Sequence, residues 1–209
     1  MTTFNTTAST SALGHTNEVA DKETSKKLTI DDLIAYEQLN PDEKVELVDG
    51  KIVAMAGGTG RHNIIGNYFL MLIEPHLLKG GGDCFSYTHD IRVRINDYKY
   101  RYPDFLIDCS GKPVNFYAEN PVIIGEVLSG STEDVDKLTK LEEYKSISSV
   151  REIFLAYQTE KKVIVYTRKS LVPLFWKISE HTNGLIRFKS IDFAVDIDEI
   201  YKRVNLNDV

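Results

Sequence analysis

A carboxylate stands inside the most apolar stretch of this chain. Residues 121–128 read Pro-Val-Ile-Ile-Gly-Glu-Val-Leu, and the two-residue alternation of a strand sets Glu126 on one face with Val122, Ile124 and Leu128. A charge buried there without a partner costs several kcal/mol. Three remedies exist: a basic partner such as Arg92 or Arg94, a raised pKa, or a bound metal ion. Asp104 is a second residue of the same kind, because it follows Pro103 and heads the core-like run Phe105-Leu106-Ile107. Its plainer reading is a turn residue at a strand end. Two carboxylates on sequential strands can converge, however, and a cluster of carboxylate oxygens without thiols suits Mg²⁺ or Mn²⁺ rather than zinc.

Those side chains need a sheet to hold them. The stretches 85–95, 100–107 and 121–128 read as strands, the first with Ile91, Val93 and Ile95 on one face and the third apolar enough to lie mid-sheet, covered on both sides. Before them, Thr29 and Asp32 open a short helix carrying Leu33, Ile34, Tyr36 and Leu39, which stops at Pro41. Asp49-Gly50 then joins 45–48 to 51–55 as a hairpin. Gly57-Gly58-Thr59-Gly60 lacks the Lys-Ser/Thr ending of a nucleotide loop and reads as a bend into a helix. That helix carries Ile64, Ile65, Tyr68, Phe69, Leu72, Ile73, His76 and Leu77 on one side, with Pro75 expected to bend or shorten its last turn before Gly80-Gly81-Gly82. His62 opens it, where capping or packing is the plain role and an approach to phosphate or water the chemical one.

A helix over 133–147 follows the third strand, then strands at 152–157 and 162–167. Asp136, Lys140 and Tyr144 share one face of this helix, beside the apolar stripe Val135, Leu138 and Leu141. On spacing alone, Asp136 and Lys140 make a solvated pair worth about 0.3–0.5 kcal/mol. Short strands at 172–178 and 185–188 and a helical turn at 198–203 read as an appendage. The element order implies an α/β fold, a mixed sheet flanked by helices.

Composition narrows the class. The 209 residues, 42% of them hydrophobic, suit one domain over 27–209, while residues 1–26, rich in Thr, Ser and Asn, read as a disordered tail. Neither a membrane span nor a signal peptide is visible, so a soluble, cytoplasmic protein is expected. Cys84 and Cys109 lack paired metal-site spacing and suggest neither a disulfide framework nor zinc, only apolar filler. With 25 Lys+Arg against 31 Asp+Glu, the net charge of −6 is the wrong sign for coating nucleic acid non-specifically. Local positive charge around a cleft remains compatible with it.

Several segments taken together resemble the Uma-two family of restriction endonucleases, a branch of the PD-(D/E)XK nuclease superfamily. They are Val45-Glu46-Leu47-Val48-Asp49-Gly50, Ala54-Met55-Ala56-Gly57-Gly58-Thr59 with His62, and Arg101-Tyr102-Pro103-Asp104. Gly125-Glu126-Val127-Leu128-Ser129, Ser131-Thr132-Glu133-Asp134 with Asp136, Lys140 and Tyr144, and Ser149-Val150-Arg151-Glu152 continue the pattern. The resemblance implies a restriction-endonuclease-like sheet and metal-dependent hydrolysis of phosphodiester bonds, with DNA as the partner. Asp104 and Glu126 would hold Mg²⁺ or Mn²⁺. The lysine expected two residues after the glutamate is replaced by Leu128, and the resemblance puts Lys140 in that catalytic role. It also implies Glu46 as a further metal carboxylate, although alternation equally allows an outward-facing side chain. Cuts on both strands of a duplex would favour a symmetric homodimer. The alternative from another class is a catalytically inactive module that binds nucleic acid or protein.

Overall fold

The computed structural model describes residues 26–55, 57–81, 83–128 and 134–206, with the side chains of 134–137 left out. The expected tail, apart from Lys26, lies outside the described residues, as do Ala56, Gly82, Ser129, Ser131, Thr132, Glu133 and the side chain of Asp136. In chain order the elements are α1 (Ile30–Leu39), β1 (Val45–Val48), β2 (Lys51–Ala54), α2 (Gly60–Lys79), β3 (Phe85–Thr88), β4 (Arg92–Asn96), β5 (Lys99–Arg101), β6 (Phe105–Asp108) and β7 (Tyr117–Ala118). Then come β8 (Pro121–Leu128), α3 (Asp134–Ser146), β9 (Glu152–Tyr157), β10 (Val163–Leu171), β11 (Leu174–His181), β12 (Leu185–Phe188), β13 (Phe193–Asp196) and α4 (Ile197–Ile200). No helix among the described residues is long and apolar enough to cross a membrane.

The central sheet is mixed, in the order β11-β10-β9-β8-β6-β3, with β8 and β9 parallel and its other pairs antiparallel. A second sheet, β2-β1-β5-β4-β7, carries α1. Asp49 and Gly50, with φ of +52° and +82°, make the two-residue turn that the Asp-Gly pair predicts between β1 and β2. The stretches 85–95 and 100–107 are not single strands. Each breaks and crosses from one sheet to the other, the first at a turn closed by the Ile91 N–H on the Thr88 carbonyl, the second at Tyr102-Pro103-Asp104. Pro103 has no N–H to extend a ladder, which suits it to such a break. Both breaks fall where chemistry-bearing residues sit.

One face of the central sheet packs on α2. Ile65, Phe69 and Ile73 meet Phe105, Ile107, Ile123, Val127 and Phe154, with the Phe69 ring 4.4 Å from that of Phe105 and 4.7 Å from that of Phe154. Pro75 does not shorten α2, which runs to Lys79: it and Met71, whose carbonyl loses its bond, both lie on the solvent-exposed side. The opposite face, with Leu106, Ile124, Leu128 and Ile153, packs on Leu141 and Tyr144 of α3, on Ile147 just after it and on Val93 of the second sheet. Val122, expected on that face, packs with the α2 side instead; the β6–β8 register shifts near this end. The C-terminal segment is no appendage, because Ile186, Phe188, Val195, Ile197, Ile200 and Tyr201 complete the α2-side core and β10 and β11 extend the central sheet.

Cys84 and Cys109 form a disulfide, correcting the reading of both as filler. Their 25-residue separation carries no motif. The pairing Phe85↔Asp108 across β3 and β6 sets them opposite each other, and only the folded register reveals it.

At Gly125 the core leaves no room for a side chain. A Cβ added there would lie 2.0 Å from the Phe105 ring, itself clamped between Phe69 and Phe154. Gly125→Ala is expected to destabilise the protein by about 3 kcal/mol, lowering Tm by about 6–12 °C for a domain of this size. An unchanged melting curve would show that the ring has somewhere else to go.

Candidate active site

β6 and β8 deliver the two carboxylates. They pair with Phe105 opposite Gly125 and Leu106 opposite Ile124, and one further step of this register sets Asp104 opposite Glu126, on the face that packs against α3. Directly opposed residues of an antiparallel pair point to the same side of the sheet. The Val127 N–H donates to Asp104 Oδ2 at 2.6 Å and fixes that carboxylate. From α3, the hydroxyl of the fully buried Tyr144 donates to Glu126 Oε1 at 2.6 Å. Burial, and next the charge of Asp104, push the Glu126 pKa up to about 8, with Lys140 and Tyr144 acting in the opposite direction. Burial and the Glu126 charge likewise hold the Tyr144 pKa well above its ordinary value. The arginines that could have neutralised Glu126 are engaged elsewhere: Arg92 pairs with Glu37, and Arg94 with Asp97 and Glu119.

Glu46 does not face outward. It is buried on β1 and accepts from Arg101 Nη1 at 2.9 Å, from the Tyr102 N–H at 3.1 Å and from Lys140 Nζ at 3.1 Å. Both its oxygens are therefore engaged with cations and backbone, and through them the second sheet holds the α3 lysine. Arg101 is anchored in turn by Glu143, Nε to Oε2 at 2.7 Å, and Glu143 also binds Lys99 at 2.7 Å. Burial opposes the Arg101 charge, but Glu143 and Glu46 outweigh it and raise its pKa. Strand alternation could not show this, because the cover over β1 comes from residues far away in sequence.

His62 reaches the same place from α2. Its backbone N–H is capped by the Thr59 hydroxyl at 3.2 Å, and its Nε2 lies 2.8 Å from Asp104 Oδ1. Gly58 leaves room for the ring, since a Cβ there would come within 3.1 Å of it. His89, which the sequence reading passed over, sits in the turn between β3 and β4 with Nδ1 4.0 Å from the same Asp104 oxygen. The available signal was a histidine and an aspartate, Thr88-His89-Asp90, interrupting an apolar strand pattern. Glu46, His62, His89, Asp104, Glu126 and Lys140 all line one cleft of about 750 Å³, together with Lys44, Arg101 and Tyr102. Asp104, Glu126, Lys140, Glu46 and His62, singled out in the sequence, thus line the same cleft, while the side chain of Asp136 lies outside the described residues.

Two proteins of Synechocystis sp. are similar to this chain. The uncharacterized protein slr1290 is 28% identical over 180 residues, covering 84% of this chain and 92% of its own. The uncharacterized protein sll1609 is 29% identical over 140 residues, covering 65% and 77%. Among solved structures, "a putative nuclease belonging to DUF820" from Anabaena variabilis shares the fold, with a TM-score of 0.65 at 18% identity over 85% of this chain and 99% of that one. Residues 30–184 match the family Uma2, "Putative restriction endonuclease", from α1 through the β10–β11 hairpin. The match spans most of the chain and contains the whole cleft, and the chain belongs to the Uma2 family.

Proposed function

We propose that this cleft hydrolyses phosphodiester bonds in DNA with a divalent ion, Mg²⁺ or Mn²⁺, held by Asp104 and Glu126. The observation that carries the proposal is the opposed carboxylate pair, with Asp104 helping to push the Glu126 pKa up to about 8. Such a pair holds more negative charge than its surroundings neutralise, and oxygen donors of this type fit a hard divalent cation. The ion, when bound, polarises a phosphoryl oxygen and acidifies water near neutral pH. Tyr144 fixes the Glu126 carboxylate, and the Val127 N–H fixes that of Asp104. Glu46 holds the Lys140 ammonium in the cleft, where it orients the attacking water or stabilises charge developing on the phosphate. Lys44, Arg101 and Lys140 bring cationic groups to the cleft, where Glu46 pairs with Arg101 and Lys140.

Linear DNA, supercoiled DNA and RNA incubated with each ion test the reading. DNA is expected to be cut with Mg²⁺ or Mn²⁺ and not with Ca²⁺, whose looser coordination serves catalysis poorly. The Asp104→Ala, Glu126→Ala double variant is expected to cut nothing. Equal results for the double variant and the unaltered protein on every substrate would remove the catalytic reading and favour a binding module.

A further inference from the structure

We propose that His62, His89 and Asp104 form a second cation site, an imidazole and carboxylate site for a first-row transition ion of the Mn²⁺, Co²⁺ and Zn²⁺ class. It rests on the nuclease reading only in sharing Asp104 with the carboxylate pair. The three residues come from three places in the chain: the first turn of α2, the turn after β3 and the break before β6. One ligand atom from each lies within 4.8 Å of the other two. Ligand atoms around an ion with bonds of about 2.1 Å stand about 3.4 Å apart in a tetrahedron, so closure needs a movement on the order of 1 Å. His89 has that latitude, because its side chain is 30% exposed, against 16% for His62 and 15% for Asp104.

The two halves of the cleft differ in donor chemistry. Glu126 offers oxygen beside a tyrosine hydroxyl, whereas the side facing α2 offers two imidazoles around Asp104 Oδ1. Imidazole suits borderline ions and gives Mg²⁺ little. The outer supports of such a site are present: the Val127 N–H holds the far oxygen of Asp104, and Thr59 and Gly58 seat His62 at the head of its helix. Asp104 is common to both donor sets: its charge acts on Glu126, and its Oδ1 meets the two histidines.

Co²⁺ titration of the metal-free full chain, followed by visible absorption, reads the site directly, because bound Co²⁺ absorbs according to its donors. Absorption bands are expected that excess Mg²⁺ does not erase. His89→Ala and His62→Gln should each weaken Co²⁺ binding by at least about tenfold, while Glu126→Gln retains the bands. Circular dichroism of each variant checks that it is folded, and His89, in a turn, is the safer substitution. Co²⁺ binding unchanged in His89→Ala overturns the proposal, as does loss of the bands in Glu126→Gln or under Mg²⁺. Intact bands in a protein that cuts no substrate would instead sink the nuclease reading and leave this site standing.

Discussion

Glu126→Gln is expected to abolish cleavage and, in the same molecule, to raise the melting temperature of the metal-free protein at pH 8. Removing a carboxylate proposed to hold the divalent ion should lower the rate by about 10³-fold or more. The stability effect has the opposite sign. The Glu126 carboxyl has an ordinary value of 4.5 and is pushed up to about 8 in the folded protein, first by burial and then by Asp104. Between these two values the folded state keeps a proton that the unfolded chain has released. Stability from this group is therefore complete below pH 4.5 and declines as pH rises toward 8. Glutamine is neutral throughout and can still accept from the Tyr144 hydroxyl, so it escapes the decline. A gain of about 1 kcal/mol would appear as roughly 2–4 °C in Tm, widening from pH 5 to pH 8. Mg²⁺ should reverse the order, because an ion that binds only the folded, ionised protein stabilises it by mass action. A variant that melts at or below the unaltered protein at every pH from 5 to 8 would show that Glu126 carries no such burden.

The same carboxylate explains why the centre of the site was legible in sequence and its rim was not. Glu126 interrupts an apolar strand and Asp104 heads another, so each breaks a local pattern that can be read within eight residues. Their convergence needs only that neighbouring strands pair. Glu46 broke no pattern, since an acidic residue in a hairpin strand is an ordinary outward-facing one. Its burial comes from Arg101, 55 residues away, and Lys140, 94 residues away. His89 was hidden for a related reason. The stretch 85–95 alternates well enough to pass for one strand, and the crossing from the central sheet to the second sheet that turns His89 into the cleft is a tertiary event. The disulfide belongs to this class, since the β3–β6 register that unites Cys84 and Cys109 leaves no mark on either local segment. Periodicity exposed the faces of α2 and the central strands because burial there repeats along the chain. It could not say that β12, β13 and α4 close the core, because short elements carry too few residues to show a face.

Lys140→Ala is expected to remove most cleavage while leaving Mn²⁺ affinity nearly unchanged, which would separate the ammonium from the carboxylates proposed to hold the ion. Leu128 occupies the strand position where the superfamily pattern has its lysine, and it is buried against α3. An ammonium has to come from elsewhere. α3 supplies it: Tyr144, one turn after Lys140, donates to Glu126, and Lys140 itself reaches Glu46 at 3.1 Å. The helix thus brings a hydroxyl to the carboxylate and a cation to the same cleft. Losing a charge-stabilising donor of this kind should lower the rate by about 10²–10³-fold. The fold should tolerate the change, because Arg101 and the Tyr102 N–H still hold Glu46. Lys137→Ala, three residues earlier on α3, is expected to be mild. Single-turnover cleavage of linear DNA, with Mn²⁺ binding followed separately, reads both quantities. A large loss in Lys137→Ala with a small one in Lys140→Ala would move the role one turn back along α3. Near-normal cleavage by both would leave the carboxylate pair without a lysine, and a parallel fall in Mn²⁺ affinity and rate would make Lys140 a support of the metal site.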